Sequence, residues 1–312
     1  MDAQTMFSEM ILSKRLSEYR FLLALELSKK RGVDHFVDVL SEIENWPVDN
    51  AVSVVIDGLG SIAGQHGDLD KVYALASVTK LLSSYAFLIA LEEGAINLED
   101  PAGPEGSTVH HLLAHTAGYD FDSDVIRFAV GAKRGYSNYG FEKLAEHLQQ
   151  ETEINFADYA QEAVFAPLGM NSTKIAGSCA KDGRSSAADL AKFAAELLNP
   201  TLVSPETLSD ATRVHFEGLA GILPGYGRQN PNDWGLGFEL RSSKNPHWTG
   251  PSQDAKTFGH FGQSGTFLWI DPNLKVACAT LTDRVFGKWA VKAWPNFNES
   301  IFEYFSTPQF KK

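Results

Sequence analysis

The chain has 312 residues, 44% of them hydrophobic, and a formal net charge of -12 at neutral pH. That length is enough to bury a large core as one big domain or two closely joined ones, and the acidic balance excludes the basic stripe that nucleic-acid binding uses. Cys179 and Cys278 lie far apart in no CxxC pattern, which excludes a disulfide framework and reads as free thiols in a reducing compartment.

Near the N-terminus the apolar stretch 21–25 is short and is followed by Glu26, which reads as neither an export signal nor a membrane span. A cytoplasmic protein without membrane association is expected. Residues 7–30 carry Ile11, Leu16, Tyr19, Leu22 and Leu23 at helical spacing, the pattern of an amphipathic surface helix. A second helical stretch covers 33–44. The β-branched run 51–56, the turn Asp57-Gly58-Leu59-Gly60 and a weaker strand from Ser61 predict a β-hairpin. Gly58, Gly60 and Gly64 do not have dinucleotide-loop spacing, and no helix follows them.

From Ser77 a long apolar helix passes through Leu81, Leu82, Tyr85, Leu88 and Leu91 to a stop at Gly94, and its composition predicts full burial. After a turn-rich break at 101–106, the chain to about residue 200 is helical in period, punctuated at Gly118, Gly135, Pro167, Gly177 and Pro200. Strand character returns at 256–262, 266–270 and 275–281, with a tight turn at Asp271-Pro272-Asn273, and a final helix spans 289–304. This order predicts an α/β fold. Residues 1–80 and 235–312 form a discontinuous sheet lobe, residues 81–234 a mainly helical lobe, and the active site lies in the crevice between them.

The chemistry begins at Ser77-Val78-Thr79-Lys80. Ser77 and Lys80, three residues apart, project from one face of the helix start. A serine hydroxyl becomes a nucleophile when a base takes its proton. A lysine can be that base when burial depresses its pKa, and the helix N-terminus favours the negative charge that develops nearby. Alone the pattern is weak: Ser178-Cys179-Ala180-Lys181 repeats it in a polar loop, and a serine at a helix start is also the ordinary capping residue.

Two further elements follow in order, Tyr136-Ser137-Asn138 and His260-Phe261-Gly262. With these three motifs the chain resembles the class C β-lactamase, DD-peptidase and esterase superfamily of penicillin-recognising serine hydrolases. Segments at His111 to Gly118, Pro167 to Met170, Trp234 to Phe238 and Leu268 to Pro272 resemble the same family. The resemblance implies a β-lactamase/transpeptidase-like fold, an antiparallel sheet flanked by N- and C-terminal helices with a helical insertion, and a mechanism needing no cofactor. It implies Ser77 as nucleophile, Lys80 as general base and Tyr136 as the proton shuttle that later activates the deacylating water. Asn138 would hold Lys80 and substrate, His260 would orient Tyr136, and the backbone N–H groups of Ser77 and of Gln263, the residue after Gly262, would form the oxyanion hole.

Two other clusters are weaker. His110, His111 and His115 suggest a metal site, but Leu112 stands where H-E-x-x-H needs glutamate, so hydrogen bonds at a helix end are expected instead. Gly262-Gln263-Ser264-Gly265-Thr266 lacks the last glycine of a nucleophile elbow, which removes Ser264 as a candidate. A lysine at position 260 would offer a permanent cation to a substrate carboxylate, whereas histidine is largely neutral near pH 7. Phe261 is expected to add an apolar wall to the substrate pocket. Both features favour a carboxylesterase-like enzyme acting on a small-molecule ester, amide or lactam, with a β-lactamase or D-alanyl-D-alanine-type peptidase as one alternative and a non-catalytic binding protein on the same fold as another.

Overall fold

The computed structural model describes residues 33–307, so the helix expected over 7–30 lies outside the described residues. Helix α1 (Val33–Ser41) runs through a 3-10 turn (Glu42–Asn45) into the expected hairpin, β1 (Ala51–Ile56) and β2 (Ile62–His66). Strand β3 (Val72–Ala74) leads to a 3-10 turn (Ala76–Val78) and the long helix α2 (Thr79–Glu92). Next come α3 (Val109–Leu113), α4 (Asn138–Thr152), α5 (Phe156–Ala160), strands β4 (Lys174–Ile175) and β5 (Gly183–Ser186), then α6 (Ala187–Leu198) and α7 (Pro205–Ala211). The chain closes with the hairpin β6 (Gly221–Leu223) and β7 (Gly227–Gln229), strand β8 (Glu239–Leu240), β9 (Phe258–Gly262), β10 (Thr266–Asp271), β11 (Val276–Thr282) and helix α8 (Lys288–Ser306).

Both ends of the chain build one six-stranded antiparallel sheet in the order β2-β1-β11-β10-β9-β8. Its register pairs Val55 with Cys278 and Leu268 with His260. Successive side chains of a strand point to opposite faces, and here both faces are covered, which is why these strands read as apolar runs. Val52, Val54, Leu268, Ile270, Ala277 and Ala279 join the core formed with α2, α4 and α6. Val55, Phe267, Trp269, Val276 and Cys278 face the other way, onto aromatic residues of α1 and α8. Cys179 and Cys278 are both buried, free thiols.

The expectation of helical structure from the break at 101–106 to about residue 200 holds only in part. Residues 114–137 are mostly irregular, held by backbone hydrogen bonds such as Gly131 N–H to Thr116 O and Gly135 N–H to His115 O. Strands β4 and β5 also lie within that part of the chain and pair with β3 from before α2 in a small sheet, β3-β5-β4. Its strands are two to four residues of mixed polarity, too short for any period to register. The β6–β7 hairpin and the edge strand β8 escape a periodicity reading for the same reason. Among the described residues no helix is long and apolar enough to cross a membrane.

Helix α8 ties the chain end to the sheet through Phe297, which is fully buried and packs edge-on against Trp46 with ring centroids 5.2 Å apart. Truncating such a ring leaves a cavity that its neighbours fill only in part, so Phe297→Ala should lower unfolding stability by about 3–5 kcal/mol, measured as a shift in urea midpoint at unchanged slope.

Candidate active site

Ser77 sits in the tight turn that opens α2, half-buried, directly after Ala76 at φ +44°. That left-handed conformation is uncommon for a residue with a Cβ and throws the following backbone into the sharp turn that presents Ser77. No side chain caps the 3-10 turn or α2, so Ser77 is not serving as a capping residue. Its amide makes no hydrogen bond within the described residues, nor does that of Gln263.

One turn on, the Lys80 ammonium is fully buried. Its Nζ donates to Asn138 Oδ1 at 2.5 Å and to Ala180 O at 2.9 Å, and lies 4.6 Å from the centre of the Tyr136 ring. Burial is the dominant influence and lowers its pKa to about 7, against smaller opposing effects from Cys179, Asp122 and Glu142. A lysine held there is about half unprotonated at neutral pH and able to accept a proton. The polar loop of the second S-x-x-K match is what encloses it. Ser83 Oγ donates to Cys179 O, Ala180 O takes the Lys80 bond, and Gly183 N–H donates to Thr79 Oγ1. Ser178 itself donates to a carboxylate oxygen of Glu142.

The Tyr136-Ser137-Asn138 element is the start of α4. Ser137 is its N-cap, accepting from Gly140 N–H at 3.0 Å, and this fixes Tyr136 just outside the helix and Asn138 just inside. Asn138 Nδ2 donates to Asp122 Oδ1 at 3.0 Å, which also takes Lys181 Nζ at 3.0 Å, so its amide oxygen is left to face Lys80. The Tyr136 hydroxyl is buried without a full hydrogen bond. Burial raises its pKa, while the neighbouring Ser77 hydroxyl pulls the other way.

His260 faces the same space from β9, its ring 5.6 Å from that of Tyr136. Its Nδ1 lies 2.6 Å from Phe261 O. A carbonyl can only accept, so Nδ1 carries the proton and Nε2 holds a lone pair. Burial and the nearby Lys80 lower its pKa to about 3, so it is neutral throughout the working pH range. Gly262 is where β9 crosses the turn that carries Ser77: a Cβ there would overlap Leu75 O and crowd Thr266 Oγ1. Thr266 Oγ1 in turn donates to Leu75 O at 3.0 Å, which locks the sheet edge to the residue two before Ser77.

The structure thus brings Ser77, Lys80, Tyr136, Asn138, His260 and Gly262 together, and Gln263 follows at the strand end, its side chain exposed. Phe261 does not join them. Expected as a pocket wall, it is buried on the opposite face of the sheet among Trp248, Phe286 and Trp294, because alternation turns the residue after His260 away from the cleft.

Two site neighbours were legible only as family-like segments, His115 and Trp234. Their rings pack against each other at 4.8 Å and against Tyr136 at 4.6 and 5.6 Å. The WGLGF loop reaches this place through Gly237 at φ +80°, where a Cβ would collide with Ser84 on α2. Of the histidine cluster, His110 Nε2 donates to His215 Nδ1 at 2.8 Å and His215 Nε2 donates to Asp210 O at 2.9 Å, while His111 bonds Thr108. Among the described residues no group of three or more His, Cys, Asp or Glu side chains is placed to hold a metal ion.

The geometry sets two outcomes. If Lys80 must be neutral to work, kcat/KM rises with pH through an apparent pKa near 7, and His260 adds no second limb between pH 5 and 9. The folded chain also binds fewer protons than the unfolded one between about pH 7 and 10.5. The Lys80 penalty on stability therefore fades as pH rises across that window, and the melting temperatures of wild type and Lys80→Met should converge there. Gly262→Ala should part β9 from the turn that carries Ser77 and lower kcat/KM about 100-fold or more, as misplacement of reacting groups does.

The beta-lactamase family model matches residues 51–296. A protein from Mycobacterium bovis solved as a beta-lactamase is 49% identical, with a TM-score of 0.85 over 86% of this chain and 100% of that one. EstCE1, described as a hydrolase with promiscuous acyltransferase activity, shares the fold at 15% identity, with a TM-score of 0.70 over 88% of this chain and 100% of that one. Penicillin-binding protein 4* of Bacillus subtilis is 25% identical over 34% of this chain, and the match spans 31% of that protein's length. With a matched region that runs from β1 into α8 and contains every element of the site, the chain belongs to the beta-lactamase family, whose fold is typical of serine hydrolases.

Proposed function

We propose that the protein is a serine hydrolase of carboxylesterase-like specificity that works through an acyl-enzyme on Ser77. The observation that carries this reading is the sealed Lys80, with a pKa of about 7 one turn from a half-buried Ser77 and beside the ring of Tyr136.

In the proposed cycle Ser77 Oγ attacks the substrate carbonyl carbon as its proton passes to Lys80. The oxyanion receives hydrogen bonds from the Ser77 and Gln263 amides, both without other partners among the described residues. The carbonyl re-forms, the bond to the alcohol breaks, and Tyr136 hands a proton to the departing oxygen. Water then enters, gives its proton to the same base system and releases the acid from Ser77. Asn138 keeps the Lys80 ammonium in place, and neutral His260 offers its Nε2 lone pair towards the Tyr136 side of the cleft.

The β-lactamase alternative has one observation in its favour, the 49% identical relative solved under that description. Against it stands His260, which at a pKa of about 3 gives a substrate carboxylate no positive charge. A small ester or amide, rather than a macromolecule, is the proposed partner.

Reaction with a fluorophosphonate probe should label wild type and not Ser77→Ala. Wild type should hydrolyse short p-nitrophenyl esters and leave nitrocefin nearly untouched, and Tyr136→Phe should lower ester turnover by about 10²–10⁴-fold. Nitrocefin turnover exceeding ester turnover would select the lactamase reading. An unlabelled, inactive wild type would leave a binding protein.

A further inference from the structure

Tyr136 also lines a neighbouring cavity of about 410 Å³, a size that suits a small acyl chain. Its walls are apolar where they meet Tyr136, with Phe121, Phe128, Ile222 and Pro224 among them. They are held in shape by backbone hydrogen bonds, Asn138 N–H to Phe121 O at 2.7 Å and Arg134 N–H to Ala220 O at 3.0 Å.

The charges around this cavity run opposite to those of the chain. Four cations line it, Arg127, Lys133, Arg134 and Arg228, against one carboxylate, Asp120. Asp120 is satisfied by Arg127, Nε to Oδ1 at 3.0 Å and Nη2 to Oδ2 at 3.2 Å. Arg134 is buried, and its guanidinium donates only to carbonyl oxygens, those of Ala114, His215, Phe216 and Asn232, so no carboxylate cancels its charge by direct contact. Lys133 and Arg228 are exposed. Lys133 rests its ammonium over the Phe128 ring at 5.5 Å, and neither makes an ion pair among the described residues. In a protein of net charge -12, an apolar cavity with one buried and two free cations is a local positive potential, which gathers anions and leaves neutral molecules without that attraction.

We propose that this cavity takes the acyl part of the substrate and that the acyl chain ends in a carboxylate, read by Arg228 and Lys133 over the field of Arg134. The acyl part is assigned here because it alone stays bonded to Ser77 through both half-reactions, so a built cavity acts on it in each. The proposal rests on the hydrolase reading and adds the substrate class: half-esters of short dicarboxylic acids and their relatives. It also assigns recognition of an anion to this cavity, a positive charge that neutral His260 does not supply.

The test compares p-nitrophenyl hydrogen glutarate with p-nitrophenyl pentanoate, chains of equal length differing in the terminal charge. Wild type should favour the glutarate ester about fivefold or more in kcat/KM at low salt, as two exposed ion pairs can supply. The ratio should fall towards one in about 500 mM NaCl, where such pairs are screened. Arg228→Gln and Lys133→Gln should each lower the ratio, and the double variant should abolish it. A parallel titration of Ser77→Ala with monomethyl glutarate and methyl pentanoate reads the same preference as binding. Equal turnover of both esters, or a preference indifferent to both substitutions, overturns the proposal while leaving the hydrolase reading intact. No turnover by wild type together with selective, Arg228-dependent binding of the glutarate ester overturns the hydrolase reading and upholds the ligand class.

Discussion

The arrangement depends on keeping one ammonium out of water. Lys80 is fully buried, and an isolated charge in such a place is costly enough that the group lowers its pKa or is paired. Here its hydrogen-bond partners are neutral, an amide oxygen and a backbone carbonyl, so the charge is solvated by dipoles without being cancelled. A carboxylate in direct contact would have held the lysine protonated. The neutral partners permit a proton acceptor near pH 7.

That environment draws on distant parts of the chain. The helix carrying Lys80 supplies the apolar shield, the loop at 178–183 closes over it, and the capped start of α4 delivers Asn138 and Tyr136. From the other side strand β9 arrives at Gly262, close enough to the turn carrying Ser77 that a methyl group would not fit. Ser77 is therefore fixed between a rigid helix and a strand whose position is set by pairing across the six-stranded sheet. Rigid elements of this kind hold reacting groups in place better than loops do. The aromatic rings of His115, Trp234 and His260 around Tyr136 add an apolar wall, and burial there raises the pKa of the phenol.

Charge is distributed in two ways. Inside the site the titratable groups are neutral or nearly so: His260 and His115 are held uncharged by burial, and Lys80 is poised. Along the adjoining cavity the cations are permanent. The neutral cluster and the permanent cations are thus separated in space, and a fixed cation beside Lys80 would have lowered its pKa further.

The amino-acid sequence by itself determined the α/β class, the sheet drawn from both chain ends, the buried helix from Ser77, and the three motifs, because long apolar periods and fixed short spacings survive in a linear string. It could not reveal the β3-β5-β4 sheet or the irregular course of 114–137, whose order comes from backbone hydrogen bonds and not from side-chain period. Expected on the cleft side, Phe261 lies on the opposite face because strand alternation, once His260 faces the cleft, turns its neighbour away; which face of β9 meets the cleft is what the tertiary structure decided. The second S-x-x-K match shows the same division. Its residues repeat the spacing of the first in a polar loop with no apolar helix behind it, and the fold uses their backbone carbonyls to enclose Lys80. Spacing and context singled out Ser77 and Lys80; only the packing of remote segments around them decided how neutral that lysine is and where the permanent charges stand.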